Sequence, residues 1–237
     1  MSVKYQRILL KLSGEQLAGK FESGIDPELV AWLAQEVKKA QDAGTEVVIM
    51  VGGGNFVRGA QIAGHGIKRV TGDHMGMLST MINALALTDI FEAQGVHTRC
   101  LSNIYAEQVA EPFVHRLADK HLEKGRVLIV AGGTGRPYMT TDTGAVVLAL
   151  ELDCQVVLKA TKVDGVYDKD PEVFSDAKKL DHVTFQHAVE NVHIKIMDKA
   201  AMGMAMEHGM PIIIFDGLKE DNIVKVAKGE LVGTTIS

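Results

Sequence analysis

Short apolar runs alternate along this chain with segments whose apolar residues recur every three or four positions. The runs at 7–12 (Ile8-Leu9-Leu10 at its heart), 47–51, 98–101, 127–131, 156–158 and 211–215 read as buried strands. Helical patterns lie between them. Asp26 caps the first and Pro27 suits its opening turn. Leu29, Leu33 and Val37 then recur until Gly44 ends it. A long helix is predicted to open at Asp73 and run to Gln94, closed by Gly95. Its interior, 75–91, is apolar on nearly every face, which predicts burial and a subunit interface. Asp73 is then either a cap or a functional carboxylate. Further helices are predicted at 111–124 (Pro112 in the first turn), 141–151, 184–191, 198–208 and 221–227. Met202, Met206 and Met210 are expected in the core. Residues 234–236 read as an edge strand, and 193–197 fit either element type. There is no internal repeat and no low-complexity linker. The alternation therefore predicts α/β architecture, one mainly parallel sheet covered on both faces.

The most informative stretch is 126–171. An apolar run to Ala131 leads into Gly132-Gly133-Thr134-Gly135-Arg136-Pro137-Tyr138-Met139-Thr140-Thr141-Asp142. A helical pattern, a second apolar run and a polar turn, Lys159-Ala160-Thr161-Lys162-Val163-Asp164-Gly165, follow. This is a βαβ unit whose loops leave the carboxyl ends of strands, where open α/β sheets bind ligands. Glycine amides and a helix N-terminus beginning at Thr141 or Asp142 make a floor for phosphate. Two earlier loops repeat the theme. Lys11-Leu12-Ser13-Gly14-Glu15 ends the first run, and Gly52-Gly53-Gly54-Asn55 with Arg58 follows the second. Lys11 either reaches a phosphate or is a solvated strand-end lysine. The glycine triplet either admits close backbone approach or is a plain turn. If the loops share one rim, Lys11, Arg58, Lys159 and Lys162 converge with Asp142, an inventory suited to phosphoryl transfer.

Composition narrows this picture. The 237 residues are 46% hydrophobic but only 5% aromatic, so Val, Ile, Leu and Met fill the core. A formal net charge of −5 gives no broad footprint for nucleic acid, so a phosphate ligand needs a local cation cluster. Cys100 and Cys154 sit beside apolar segments as expected buried thiols, which fits a reducing cytoplasm. No signal-peptide core opens the chain, and no apolar run approaches the ~20 residues of a membrane span. His115, His121, His182 and His187 are expected at the surface or at helix caps, and no His-x-x-x-His pair suggests a protein-held metal. A Walker A loop is absent. Both Gly-x-Gly-x-x-Gly candidates fail at the third glycine, at Val57 and at Tyr138, and no HRD or DFG triplet occurs.

Five blocks together carry a resemblance. They are Lys11-Leu12-Ser13-Gly14-Glu15; Gly52-Gly53-Gly54-Asn55 with Arg58-Gly59; Gly72-Asp73-His74-Met75-Gly76-Met77; Gly133-Thr134-Gly135 with Thr140-Thr141-Asp142; and the segment from Lys159 through Val166-Tyr167. In that order, over nearly the whole chain, they resemble the bacterial UMP kinases of the amino-acid-kinase superfamily. The resemblance implies one domain over 1–237, a three-layer αβα sandwich around a mainly parallel sheet, assembled as a homohexamer. It implies transfer of the γ-phosphoryl group of ATP to UMP, with Mg²⁺ held through nucleotide phosphates, in pyrimidine nucleotide synthesis. Inhibition by UTP is a further implication. By motif, Lys11, Leu12, Ser13 and Gly14 would hold ATP phosphates, with Gly54 and Arg58 on the same side. Thr161, Tyr167 and Asp170 would line the adenine-nucleotide pocket. Gly53, Asp73, Thr134, Gly135, Arg136, Pro137, Tyr138, Met139, Thr140 and Thr141 would hold UMP. Lys11, Arg58, Asp142 and Lys159 would carry the catalysis. The family often has Asn where Arg136 stands and Phe where Met139 stands, both in the stretch that meets the base. Competing readings are a carboxylate or carbamate kinase of the same superfamily and a non-catalytic nucleotide-binding oligomer.

Overall fold

The computed structural model describes residues 3–58, 61, 66–169, 171, 173–174, 176–190 and 197–237. Asp170 and most of the ambiguous 193–197 segment lie outside the described residues. In chain order the elements begin with β1 (Arg7–Leu12), α1 (Gly14–Leu17), α2 (Pro27–Asp42), β2 (Glu46–Val51) and α3 (Arg69–Ala93). Next come β3 (Thr98–Ser102), β4 (Glu111–Pro112), α4 (His115–Leu122), β5 (Val127–Ala131), α5 (Thr141–Glu151) and β6 (Val157–Thr161). The chain closes with β7 (Val166–Tyr167), β8 (Lys179–Leu180), β9 (His182–Val183), α6 (Phe185–Glu190), α7 (Lys199–His208), β10 (Ile212–Asp216), α8 (Asn222–Ala227) and β11 (Thr234–Ile236).

Nine of these strands form one sheet in the order β4-β3-β5-β2-β1-β6-β10-β11-β9, and β7 and β8 pair separately as an antiparallel ribbon. Within the large sheet only the β10–β11 pairing is antiparallel. Strand alternation splits the core in two. Ile8, Leu10, Ile49 and Ile129 pack with α2, α3 and α8 on one face. Leu9, Val48, Met50 and Leu128 pack with α4, α5, α6 and α7 on the other. The expected three-layer α/β arrangement follows, with the carboxyl ends of β1, β2, β5 and β6 on a common rim.

Several expectations need correcting. The long helix starts at Arg69, not Asp73. Lys68 is its N-cap and gives no side-chain cap bond, so nothing in the sequence marks the start. Its Leu78 and Ile82 are 55% and 49% exposed, so this helix is not buried all round within one chain. Residues 111–112 belong to β4, not to a helix. Pro112 sits there on the edge of the sheet, where a missing N–H costs no ladder bond. Lys159, Ala160 and Thr161 are strand, not turn, because β10 pairs with all three and β1 pairs with Lys159 from the other side. β11 is not the edge, since β9 lies beyond it. Met206 is exposed while Met202 and Met210 are buried. His121 is buried between the Glu111 carboxylate, 3.1 Å from its Nε2, and Arg126 Nη1, 2.9 Å from its Nδ1. Both cysteines are free and buried. Burial pushes the Cys100 thiol to about 11 and the Cys154 thiol to about 12, which leaves both unreactive. Among the described residues, no helix is long and apolar enough to cross a membrane.

Candidate active site

β1 and β6 run parallel, and their register sets Lys11 opposite Lys159. Both lysines share the parity of Leu9 and Val157, which face α5. That helix begins where the Thr140 hydroxyl accepts hydrogen bonds from the backbone N–H groups of Asp142 and Thr143, at 3.1 and 3.2 Å. The cap holds Asp142 in the first turn, above the two lysines. Lys159 Nζ donates to Asp142 Oδ2 at 2.7 Å. Lys11 Nζ lies 2.6 Å from Oδ1, an ion pair off the hydrogen-bond direction.

Two ammonium groups therefore share one carboxylate, and all three are largely buried. Burial works to raise the Asp142 carboxyl, but Lys11 and Lys159 outweigh it and hold the group below its ordinary range. For Lys159 burial dominates and lowers the ammonium. Asp142 opposes that, and the like charge of Lys11 adds to it. The cluster carries an excess positive charge in a poorly solvated place, so an arriving phosphate gains from it. Asp198 stands behind. Its carboxylate caps α7 through Ala200 N and Ala201 N at 2.9 and 3.1 Å and accepts the Thr143 hydroxyl at 3.0 Å. It also accepts the Thr140 hydroxyl, tying α7 to the start of α5.

The glycine loops meet at the same rim. Gly52 N donates to Leu12 O at 2.9 Å, joining the first loop to the second. A Cβ built on Gly53 would come within 2.7 Å of Gly76 O and 2.8 Å of Ser79 Cβ, so only glycine fits against α3 there. Gly135, at φ 68°, turns the third loop beside Asn103 O. A cavity of about 130 Å³ opens between the second and third loops, and Gly53, Asp73, Thr134, Met139 and Thr141 line it. The Asp73 carboxylate accepts from Arg69 Nε at 2.9 and 3.0 Å and from Tyr138 N at 2.9 Å. Arg69 also lies over the Tyr138 ring, 5.4 Å from its centre. Tyr138 sits at φ 66°, a conformation unfavourable for a side chain this large.

Other expected residues lie around this centre. Leu12 and Gly14 are buried beneath the rim, and Ser13 is half-buried. Arg58 is exposed and forms an ion pair with Glu15 on α1, beside Gly54. Lys162 is exposed in the turn after β6. Thr161 donates to Val163 O at 2.7 Å, and the Tyr167 hydroxyl donates to Asp164 at 2.8 Å. Arg136 and Met139 are exposed near the tip of the third loop, with Pro137 half-buried. Sequence reasoning missed Asp198, Thr80, Asn83 and Asn103, whose side-chain amide donates to Gly133 O. Thr80 and Asn83 did carry a signal, being polar in an otherwise apolar helix.

Cations and backbone amides converging at the carboxyl ends of parallel strands define an α/β protein that handles phosphate-bearing substrates. Residues 6–216 match the amino acid kinase family, and the chain belongs to that family. It is 47% identical over 234 residues to proteins named uridylate kinase from Xanthomonas oryzae pv. oryzae and Xanthomonas axonopodis pv. citri. Each alignment covers 99% of this chain and 97% of the relative. A solved UMP kinase from Bacillus anthracis superposes with a TM-score of 0.93 at 34% identity, over 98% of this chain and 96% of that one. One from Ureaplasma parvum gives 0.91 at 33% identity, over 99% of both chains.

Proposed function

We propose that this protein transfers the γ-phosphoryl group of ATP to UMP, giving UDP and ADP, and that residues 1–237 act as one nucleoside-monophosphate kinase domain. The observation that carries the reading is the Lys11–Asp142–Lys159 cluster at the meeting of three glycine-bearing loops. Full-length likeness to uridylate kinases supports the same conclusion.

The chemistry asks little of a base. The acceptor is a phosphate oxygen, largely ionised near pH 7, so no proton has to leave it. The obstacle is repulsion between two anions, and positive charge at their meeting point lowers it. Lys11 and Lys159 supply that charge, and Asp142 keeps both ammonium groups aimed at the rim. Arg58 joins them by exchanging Glu15 for a phosphate oxygen, a bidentate match for its guanidinium. Leu12, Ser13, Gly14 and Gly54 hold the ATP phosphates, with Thr161 and Tyr167 toward the adenine nucleoside. Gly53, Asp73 and the loop from Thr134 to Thr141 hold UMP. Asp142 is already shared by two lysines, and the one acidic triad close enough to grip an ion among the described residues, Glu36 with Glu220 and Asp221, surrounds Lys39 instead. That donor set fits Mg²⁺ carried in on nucleotide phosphates rather than held by protein carboxylates. When bound, Mg²⁺ neutralises charge on the phosphate oxygens.

A homohexamer joined in part through the apolar outer face of α3, inhibition by UTP and a place in the cytoplasm complete the proposal. Exposed Leu78 and Ile82 support the first of these and the two unpaired thiols the last. The test is ATP and Mg²⁺ with UMP, CMP, dUMP, aspartate and carbamate in parallel. Turnover with UMP is expected. Activity confined to aspartate or carbamate refutes the reading, and absence of turnover points to a nucleotide-binding oligomer.

A further inference from the structure

The helix α3 carries a polar seam that the roles above leave unexplained. Asp73, Gly76, Thr80 and Asn83 follow one another at spacings of three, four and three, and so share one face of the helix. Each meets a glycine loop. Asp73 accepts from Tyr138 N, and Gly76 O lies against Gly53. The Thr80 hydroxyl accepts from Gly132 N at 2.8 Å and donates to Met77 O at 2.7 Å. Asn83 donates to Gly52 O at 2.7 Å and exchanges two hydrogen bonds of 2.8 Å with Asn55. Asn55 in turn donates to Gly24 O at 2.7 Å. Thr80, Asn83 and Asn55 are all buried.

The two backbone groups taken by this seam are not arbitrary. β2 and β5 are neighbours with Met50 opposite Val130. Two residues further along, the same register sets Gly52 level with Gly132, where the ladder has ended and the strands part. Asn83 takes the carbonyl of one glycine, and Thr80 takes the amide of the other. Packing alone would be served by apolar side chains at both positions, as at Ala84 and Leu87 on the same helix. Fully satisfied buried amides instead fix one geometry, because any other leaves a polar group unpaired.

We propose that Thr80 and Asn83 are positioning residues, a brace that sets the separation of the donor-side and acceptor-side glycine loops. They act on the loops through Gly132 and Gly52, and Thr80 also borders the cavity between those loops. This rests on the kinase reading above, so one of its tests must not depend on turnover.

The experiment compares the full chain with Thr80→Val, Thr80→Ser and Asn83→Ala, using ATP, Mg²⁺ and UMP. Valine keeps the shape of threonine but leaves the Gly132 N–H without an acceptor. Its kcat is expected to fall about tenfold or more, since small misplacements of reacting groups carry large rate penalties. The KM for ATP should stay within about twofold, because uniform binding is untouched. Serine restores the acceptor and should recover most of the kcat. Asn83→Ala should act in the same direction from the other loop. Wild-type kcat in a folded Thr80→Val protein overturns the brace. So does a loss that serine does not rescue, since the hydroxyl would then not be what matters. Independently of turnover, hydrogen exchange at the Gly132 amide should quicken by about tenfold in Thr80→Val and stay near parental in Thr80→Ser. Unchanged exchange in Thr80→Val also overturns it. Should the parent protein fail to phosphorylate UMP, the kinase reading is what falls, and the exchange rates alone decide whether the brace exists.

Discussion

Asp142 answers to two lysines at once, and that ratio governs how it titrates. Its carboxyl lies below the ordinary value of 3.8 because Lys11 and Lys159 prevail over burial. The stability it contributes is therefore complete above pH 3.8 and lost as pH falls through the lower folded value. Asp142→Asn leaves two neighbouring buried ammonium groups without the carboxylate they share. A loss of about 3 kcal/mol is expected by urea unfolding at pH 7, with a flatter acid limb than the parent shows. Parental stability in both respects would contradict the assigned pairing. Lys11→Ala tests the chemistry at the same spot. Its kcat should fall about 10²–10³-fold, the usual penalty for deleting one charge-stabilising group, while the KM for UMP moves only a few-fold. A coupled ADP-release assay reads both, and near-parental turnover would falsify the role. Their candidacy was legible from their loops. Their joint geometry was not, because it depends on a register between β1 and β6 that pairs residues far apart in sequence.

At the scale of elements, α3 and the second glycine loop fit one another with no spare room. Gly53→Ala forces a methyl against Gly76 O and Ser79, so the loop and the helix must separate. A destabilisation of about 1–3 kcal/mol is expected by thermal or urea melting, as for other overpacked sites, together with reduced turnover. An alanine variant as stable as the parent would show that the contact yields freely. Strands flanked by strands were easily read, since β1, β2, β5 and β10 are nearly unbroken apolar runs. The cap at Asp26 was read as well, and the helix starts near Thr141 and Asp198 were placed to within a residue. Misreadings came where a local signal pointed elsewhere. Asp73 resembles a cap, yet it pairs with Arg69 one turn back inside the helix. Pro112 resembles a first helical turn, yet it lies on a two-residue strand held by backbone pairing with β3. Asn83 and Thr80 stood out only as polar residues in a largely apolar stretch, and their partners could not be read because they lie on other elements.

For the whole molecule, the outer face of α3 is one apolar surface that a single chain leaves exposed. Leu78 and Ile82 are one helical turn apart and both exposed, which suits a second copy of the same surface better than water. Ile82→Glu, alone or with Leu78→Glu, should shift the protein to a smaller species in sedimentation while leaving the sheet intact by circular dichroism. Unchanged sedimentation would remove this face from the assembly.

The sheet also has a join. β4, β3, β5, β2 and β1 come from the first part of the chain, while β6, β10, β11 and β9 come from the second. Lys11 and Lys159 meet across that join, and Asp142 rides on the helix that connects the two parts. During synthesis, then, a growing polypeptide can lay down five strands and still own no reactive centre. On the roles proposed above, a product cut short before β6 lacks Lys159 and is expected to show no ADP release, since one of the two paired cations has not yet been made.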